Sequence, residues 1–222
     1  MSENFIDKIK KKLRSESGVN ASFTYAADDI QKMLHYLAAS IEAFCNNDDK
    51  LLEEKAVETL KTELRLQAAH EKIIDKMYSR ETMNFSREDL HNIVNKLIEI
   101  SDDADFIVRR IRAYHPRIHE DLAVILLKCS ADIRKFGDLL EKIVNGLLED
   151  FHKVKELTME THRLERSMWK YEIDFLKNVY QIGSDASDVI YYEMLMRSIR
   201  MMIMRAVRFT DLARKLVIKY TF

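Results

Sequence analysis

The chain has 222 residues, a formal net charge of −1, and only four glycines and one proline. So few turn formers exclude a strand-rich domain or a glycine-rich phosphate loop, because strands are joined by turns that need Gly, Pro or Asn. The near-zero charge supplies no bulk field toward nucleic acid or an anionic membrane. With 33% charged and 47% hydrophobic residues, the composition is that of amphipathic helices, and an all-α fold is expected.

Residues 1–20 form a basic lead-in. Phe5, Ile6, Ile9 and Leu13 lie among Lys8, Lys10, Lys11, Lys12 and Arg14, and a polar break containing Gly18 follows. The pattern suits either a short amphipathic helix against a membrane or partner, or a loosely packed terminus. Six helical stretches are predicted over residues 21–222: about Tyr25 to Phe44, Lys50 to Ser79, Arg87 to His115, Arg117 to Asn145, Leu147 to Tyr180 and Ala186 to Lys219. Asp48 or Asp49 is placed to cap the second, and Ser86 to cap the third, with Glu88 and Asp89 in its first turn at the positive end of the helix dipole. Pro116 ends the third, since the residue before a proline avoids the α region. Gly146 is placed as a left-handed cap on the fourth.

The order is medium, long, long, then the same again. This predicts six long helices as two tandem three-helix bundles, with halves 21–115 and 116–222 joined near Pro116. A 30-residue helix spans about 45 Å, so each half is elongated. Cys45 and Cys129 lack metal or redox spacing and are expected as buried, reduced thiols. No apolar run approaches the roughly 20 residues of a membrane span, and the N-terminus has no signal-peptide core. A cytoplasmic location is expected.

The carboxylates are the candidate chemistry. Turning about 100° per residue, Leu60, Leu64, Ala68 and Tyr78 share one face of the second helix with Gln67, Glu71 and Asp75, which puts polar groups inside an expected core stripe. Buried carboxylates need a cation, a metal or an opening to solvent. Glu71 and Asp75, four residues apart, are therefore candidate metal ligands. Acids beyond the loop (Asp102, Asp103 and Asp105) are placed to meet them from the third helix. Two Glu-x-x-His pairs, Glu88 with His91 and Glu149 with His152, are the pattern of di-iron carboxylate bundles. Both sit in predicted first turns and in different halves. Trp169 is expected in the core, and so is the run Met201 to Val207. The basic cluster Arg109, Arg110, Arg112, His115, Arg117 and His119 balances nearby acids or receives an anion.

The stretch from Met77 through Phe85-Ser86-Arg87-Glu88-Asp89-Leu90 to Asp102 resembles the PhoU-like family of phosphate-transport regulators. It looks closest to the branch of unknown-function proteins that accompany low-affinity Pit phosphate transporters. The resemblance covers most of residues 21–222 and extends to the twice-repeated layout. It implies a non-enzymatic regulator that docks on a phosphate transporter or its signalling partner, with no nucleic-acid partner and with self-association left open. It also implies an acid-xxx-Asp pair on the second and third helices of each half, holding iron, zinc or manganese.

This chain departs from that pattern. Aligned without gaps, the pairs become Glu63 with Gln67 and Ile98 with Asp102, so Glu63 and Asp102 join Glu71 and Asp75 as candidate metal ligands. In the second half Glu165 is followed by Trp169, and Met201 to Val207 replaces the remaining acids. The resemblance thus implies a lost second site and an eroded first one. The alternatives are a metal-free helical scaffold and the di-iron enzyme.

Overall fold

Among the described residues six helices carry the chain: α1 (Val19–Cys45), α2 (Asp49–Met77), α3 (Arg87–Ala113), α4 (Glu120–Glu149), α5 (Phe151–Ile182) and α6 (Ala186–Thr221). The computed structural model describes residues 18–77, 85–182 and 185–221. The basic segment 1–17, and with it most of the expected lead-in, lies outside the described residues, as do Tyr78 and Ser79. The expected all-α, six-helix architecture is present.

The boundaries follow local chemistry. α1 begins six residues before the predicted start because Val19 and Phe23 already join the buried row that continues through Ala26, Ala27 and Ile30. At the next turn Asn47 adopts a left-handed φ of 52°, a conformation Asn tolerates. Asp48 then accepts the amide of Leu51 at 2.9 Å, so it is Asp48 that caps α2. Ser86 caps α3 as predicted: its backbone is extended and its hydroxyl accepts the Asp89 amide at 3.2 Å. Tyr114 is already extended, so α3 ends at Ala113, three residues before Pro116. His119 provides the N-cap of α4 through Nδ1, which accepts the Asp121 amide at 3.3 Å.

Gly146 is not a cap. It is helical, and α4 continues past it to Glu149. A Cβ at Gly146 would stand 2.9 Å from Cγ2 of buried Val154, so this glycine lets α5 fold back tightly on α4. The chain turns instead at Asp150, whose carboxylate accepts the His152 amide at 3.1 Å.

The two halves repeat one another along their buried rows. Leu52, Ala56, Thr59, Leu66, Ile73 and Met77 of α2 correspond, at one constant step, to Val154, Thr158, Thr161, Met168, Phe175 and Val179 of α5. The same step carries Ile93, Leu97, Ala104 and Ile111 of α3 onto Leu195, Ile199, Ala206 and Ala213 of α6. A step one residue longer carries Phe23, Ile30, Leu37 and Phe44 of α1 onto Leu126, Ile133, Leu140 and Leu147 of α4. Each half is a three-helix bundle. The halves meet through an antiparallel α1·α4 pair and an antiparallel α3·α6 pair, and they share one continuous core.

Equivalent positions face each other where these pairs cross. His35 Nε2 meets Asp138 Oδ1 at 2.9 Å, and Arg205 Nη1 meets Asp103 Oδ1 at 2.6 Å. An approximate twofold axis therefore runs through both crossings. At the first, a Cβ on Gly137 would lie 3.2 Å from the Gln31 carbonyl and from Leu34 Cβ, a close approach that favours glycine.

Cys45 and Cys129 are both buried and unpaired, as expected. Burial pushes the Cys45 thiol up to about 12, which leaves it protonated and unreactive.

Candidate functional site

Register decides which acids meet. α2 and α3 are antiparallel, with His70 Nε2 2.8 Å from Asn95 Oδ1. Two turns toward the start of α2 and two turns along α3, the opposing residues are Glu63 and Asp102. Glu63 lies on the buried row of α2, only 8% exposed, and feels the charges of Asp105, Asp102 and Arg109. The ungapped register is therefore the one the fold brings together.

Glu71 and Asp75 do not join it. The face they share with Leu60, Leu64 and Gln67 is the solvent face: Leu64 is 56% exposed, and both carboxylates are exposed. The expectation that this stripe belonged to the core is corrected. The true core row sits about a third of a turn away and carries Thr59, Thr62 and Glu63 among its apolar members, which masked it as a polar stretch.

The groove between α2 and α3 concentrates negative charge. Burial, followed by the carboxylates of Asp105 and Asp102, raises the Glu63 carboxyl above its usual range, against the opposing pull of Arg109 and of the Gln67 amide that donates to it. Asp102, at the solvent edge, is raised by desolvation and by Asp105 and Glu99, while Arg205 opposes the shift. Asp103 is raised by burial despite its bond from Arg205, and its Oδ2 is buried without a hydrogen-bond partner.

In α5 and α6 the equivalent groove is rewired. His162 bridges two acids, with Nε2 3.0 Å from Asp211 Oδ1 and Nδ1 3.5 Å from Glu165 Oε2. Arg200 occupies the position equivalent to Ile98. It pairs with Glu172 at 2.9 Å and lies 5.4 Å from the centroid of the Trp169 ring. Trp169 is 54% exposed, not core as expected. It occupies the place of Gln67, a boundary position with one edge on the groove. Met202, Ile203, Ala206 and Val207 are buried as predicted, whereas Met201 is exposed and Met204 half-buried.

Neither groove offers a donor set that fits a transition-metal ion. Among the described residues no three His, Cys, Asp or Glu side chains are placed so that together they could hold a metal ion. The first groove provides one buried carboxylate already bonded to an amide and one carboxylate at the rim, with Arg109 nearby. The second contains an arginine. Both Glu-x-x-His pairs are exposed, Glu88 and His91 near the start of α3, Glu149 and His152 at the α4–α5 turn, so they do not form a di-iron box. The basic cluster is largely neutralised locally. Arg109 pairs with Asp105 at 2.5 Å and Arg112 with Glu53 at 2.6 Å, while Arg110 lies over the Phe106 ring. No described helix is long and apolar enough to cross a membrane.

No family model matches the chain, and no curated protein sequence matches it. Solved structures do. A PhoU-like protein from Shewanella oneidensis MR-1 superposes with a TM-score of 0.81 at 14% identity, covering 90% of this chain and 99% of its own. A PhoU-like phosphate regulatory protein from the same organism superposes with a TM-score of 0.74 at 13% identity, over 90% of this chain and 98% of its own. The six helices and their twofold repeat are thus the fold of PhoU-like proteins.

Proposed function

We propose that this chain is a cytoplasmic regulator of inorganic phosphate transport, and that it acts by binding a phosphate transporter or its signalling partner rather than by catalysis. One observation carries the reading: a fold matching, over nine-tenths of the chain, that of a PhoU-like phosphate regulatory protein. The Arg87-Glu88-Asp89 start of α3, carried on the Ser86 cap, adds the resemblance to the branch that accompanies Pit-type transporters, so a Pit-type transporter is the partner we assign. The regulator approaches such a partner peripherally, through the outer surfaces of its helices.

The test is co-expression with the Pit-type transporter of the same cell, followed by affinity capture from detergent extract and phosphate-uptake assays with and without the chain. Co-purification and altered uptake support the reading. An unbound chain and unchanged uptake overturn it.

A second reading, a metal-free helical scaffold for another protein, draws on the donor sets of the two grooves. Iron, zinc and manganese content, measured by mass spectrometry on tag-free protein beside Glu63→Gln/Asp102→Asn, separates a metal-bearing regulator from a metal-free one. Near-stoichiometric metal that disappears in the variant assigns the Glu63–Asp102 groove as the site.

A further inference from the structure

We propose that the outer side of the α5–α6 half docks directly on an anionic lipid surface, with both helix axes lying along it. This goes beyond the regulation of transport and is tested without a transporter. Two contacts fix which row of α6 faces out. Arg200 turns toward α5, where it pairs with Glu172, and Arg205 turns toward α3, where it pairs with Asp103. Between these two directions, at helical spacing, runs the row Ile190, Arg197, Met201, Arg208 and Lys215, all exposed, flanked by Met194. On α5 the Trp169 ring lies beside Arg200, and the Tyr180 hydroxyl reaches Glu193 Oε2 at 3.4 Å. Trp169 and Tyr180, with Ile173 on the same row, therefore border the seam with α6, and the two rows form one continuous side.

The chemistry of this side is apolar and basic. Trp169, Ile173, Tyr180, Ile190, Met194 and Met201 are each between 37% and 64% exposed. Arg166, Arg197, Arg208 and Lys215 stand among them, with Lys177 at the edge. These cations are exposed and form no ion pair with any described residue. Of the acids on this side, Glu172 is engaged by Arg200, Glu165 and Asp211 by His162, and Glu193 by the Tyr180 hydroxyl.

The internal repeat shows that packing does not impose this surface. The α2–α3 half builds the same pair of helices, yet Trp169, Ile173 and Lys177 are there Gln67, Glu71 and Asp75, and Ile190, Arg197 and Met201 are Glu88, Asn95 and Glu99. A net charge of −1 gives the whole chain no attraction to an anionic membrane, but this asymmetry confines an attraction to one side. Lipid satisfies both sets of side chains at once. Trp and Tyr suit the headgroup level, and the apolar row of a helix lying in the interface enters the acyl boundary. Long Arg and Lys stems follow the apolar surface while their charges stay at the phosphates. An acidic protein would match the cations, but it would need apolar groups interleaved with its acids in one register; an anionic bilayer offers both everywhere.

The experiment is co-sedimentation of the full chain with vesicles of phosphatidylcholine, alone or mixed with phosphatidylglycerol, read together with the emission of Trp169, the sole tryptophan. The wild type is expected to bind the mixed vesicles about tenfold more tightly than the neutral ones and to release as salt rises. Its emission should move to the blue on binding and be quenched by brominated acyl chains. Arg197→Glu/Arg208→Glu should weaken binding about tenfold. Lys50→Glu/Lys128→Glu, the same change of net charge on exposed residues away from this side, should bind like the wild type, with circular dichroism confirming unchanged helicity in both. No binding to the mixed vesicles overturns the proposal. So does binding without movement of the Trp169 emission, which would assign the contact to another part of the chain such as the basic segment 1–17. Equal weakening in the two variants would show an effect of net charge alone, and binding to soluble polyglutamate with none to vesicles would assign an acidic protein partner; either result overturns it as well.

Discussion

Glu63 shows how one side chain on a buried row acquires an altered titration. It occupies the place of an apolar residue, and its nearest charges are mostly of its own sign, so ionising it is unfavourable in the folded protein. A carboxyl raised on folding contributes stability that is fully present below its unfolded value and is lost as pH rises through the folded one. Glu63→Gln keeps the shape and the Gln67 contact and removes the charge. It should therefore raise stability at neutral pH by about 1 kcal/mol, with the gain vanishing below about pH 4, where the carboxyl is protonated in both states. Urea unfolding of both proteins at the two pH values checks this. A variant that loses stability at neutral pH would show that the charge has a favourable partner in the groove.

The start of α3 shows what an element requires. The Asp89 carboxylate receives Lys219 at 2.6 Å, the Tyr220 hydroxyl at 2.6 Å and the Ser86 hydroxyl at 2.7 Å. Tyr220 Oη also accepts the Ser86 amide at 2.7 Å, and Phe85 packs edge-on to the Tyr220 ring. The cap thus fastens the first turn of α3 to the last turn of α6. Burial alone would raise this carboxyl, but the bonds from Lys219, Tyr220 and Ser86 outweigh it and hold it below the usual range. Stability from a depressed acid is present above the unfolded value and is lost as pH falls through the folded one. Asp89→Asn should cost about 1–2 kcal/mol at pH 7 and progressively less at an acidic pH, as the pH falls through the carboxyl's depressed folded value. Denaturant midpoints at both pH values measure the difference, and an equal loss at both would show that charge is not what matters at this cap.

At the scale of the whole molecule, the shared core couples the halves. Leu34, Leu37, Ile41, Phe136 and Leu140 are fully buried on the α1·α4 pair, and separating the halves would expose those rows to water. We expect a single unfolding transition for the full chain. Fragments ending or beginning near Pro116 should be poorly ordered alone and should recover native helicity when co-expressed. Circular dichroism of each fragment and of the pair is the check. Two well-folded, non-associating fragments would establish independent domains instead.

What the sequence determined by itself was whatever depends on near neighbours along the chain. The scarcity of Gly and Pro required helices, Ser86 with Asp89 required a start for α3, and Pro116 fell in the link between α3 and α4. Only the tertiary structure decided what depends on which face turns inward. α2 carries two competing rows, and the row richer in Leu turned outward, because Thr59, Thr62 and Glu63 share the buried row with Leu52, Leu66 and Ile73. Gly146 reads as a helix stop until Val154 is seen against it, and Trp169 reads as core until its boundary position is known. A helical period fixes angles around one axis, but it does not fix where the neighbouring axes lie. Their placement determined which carboxylates became neighbours and which aromatic was left in water.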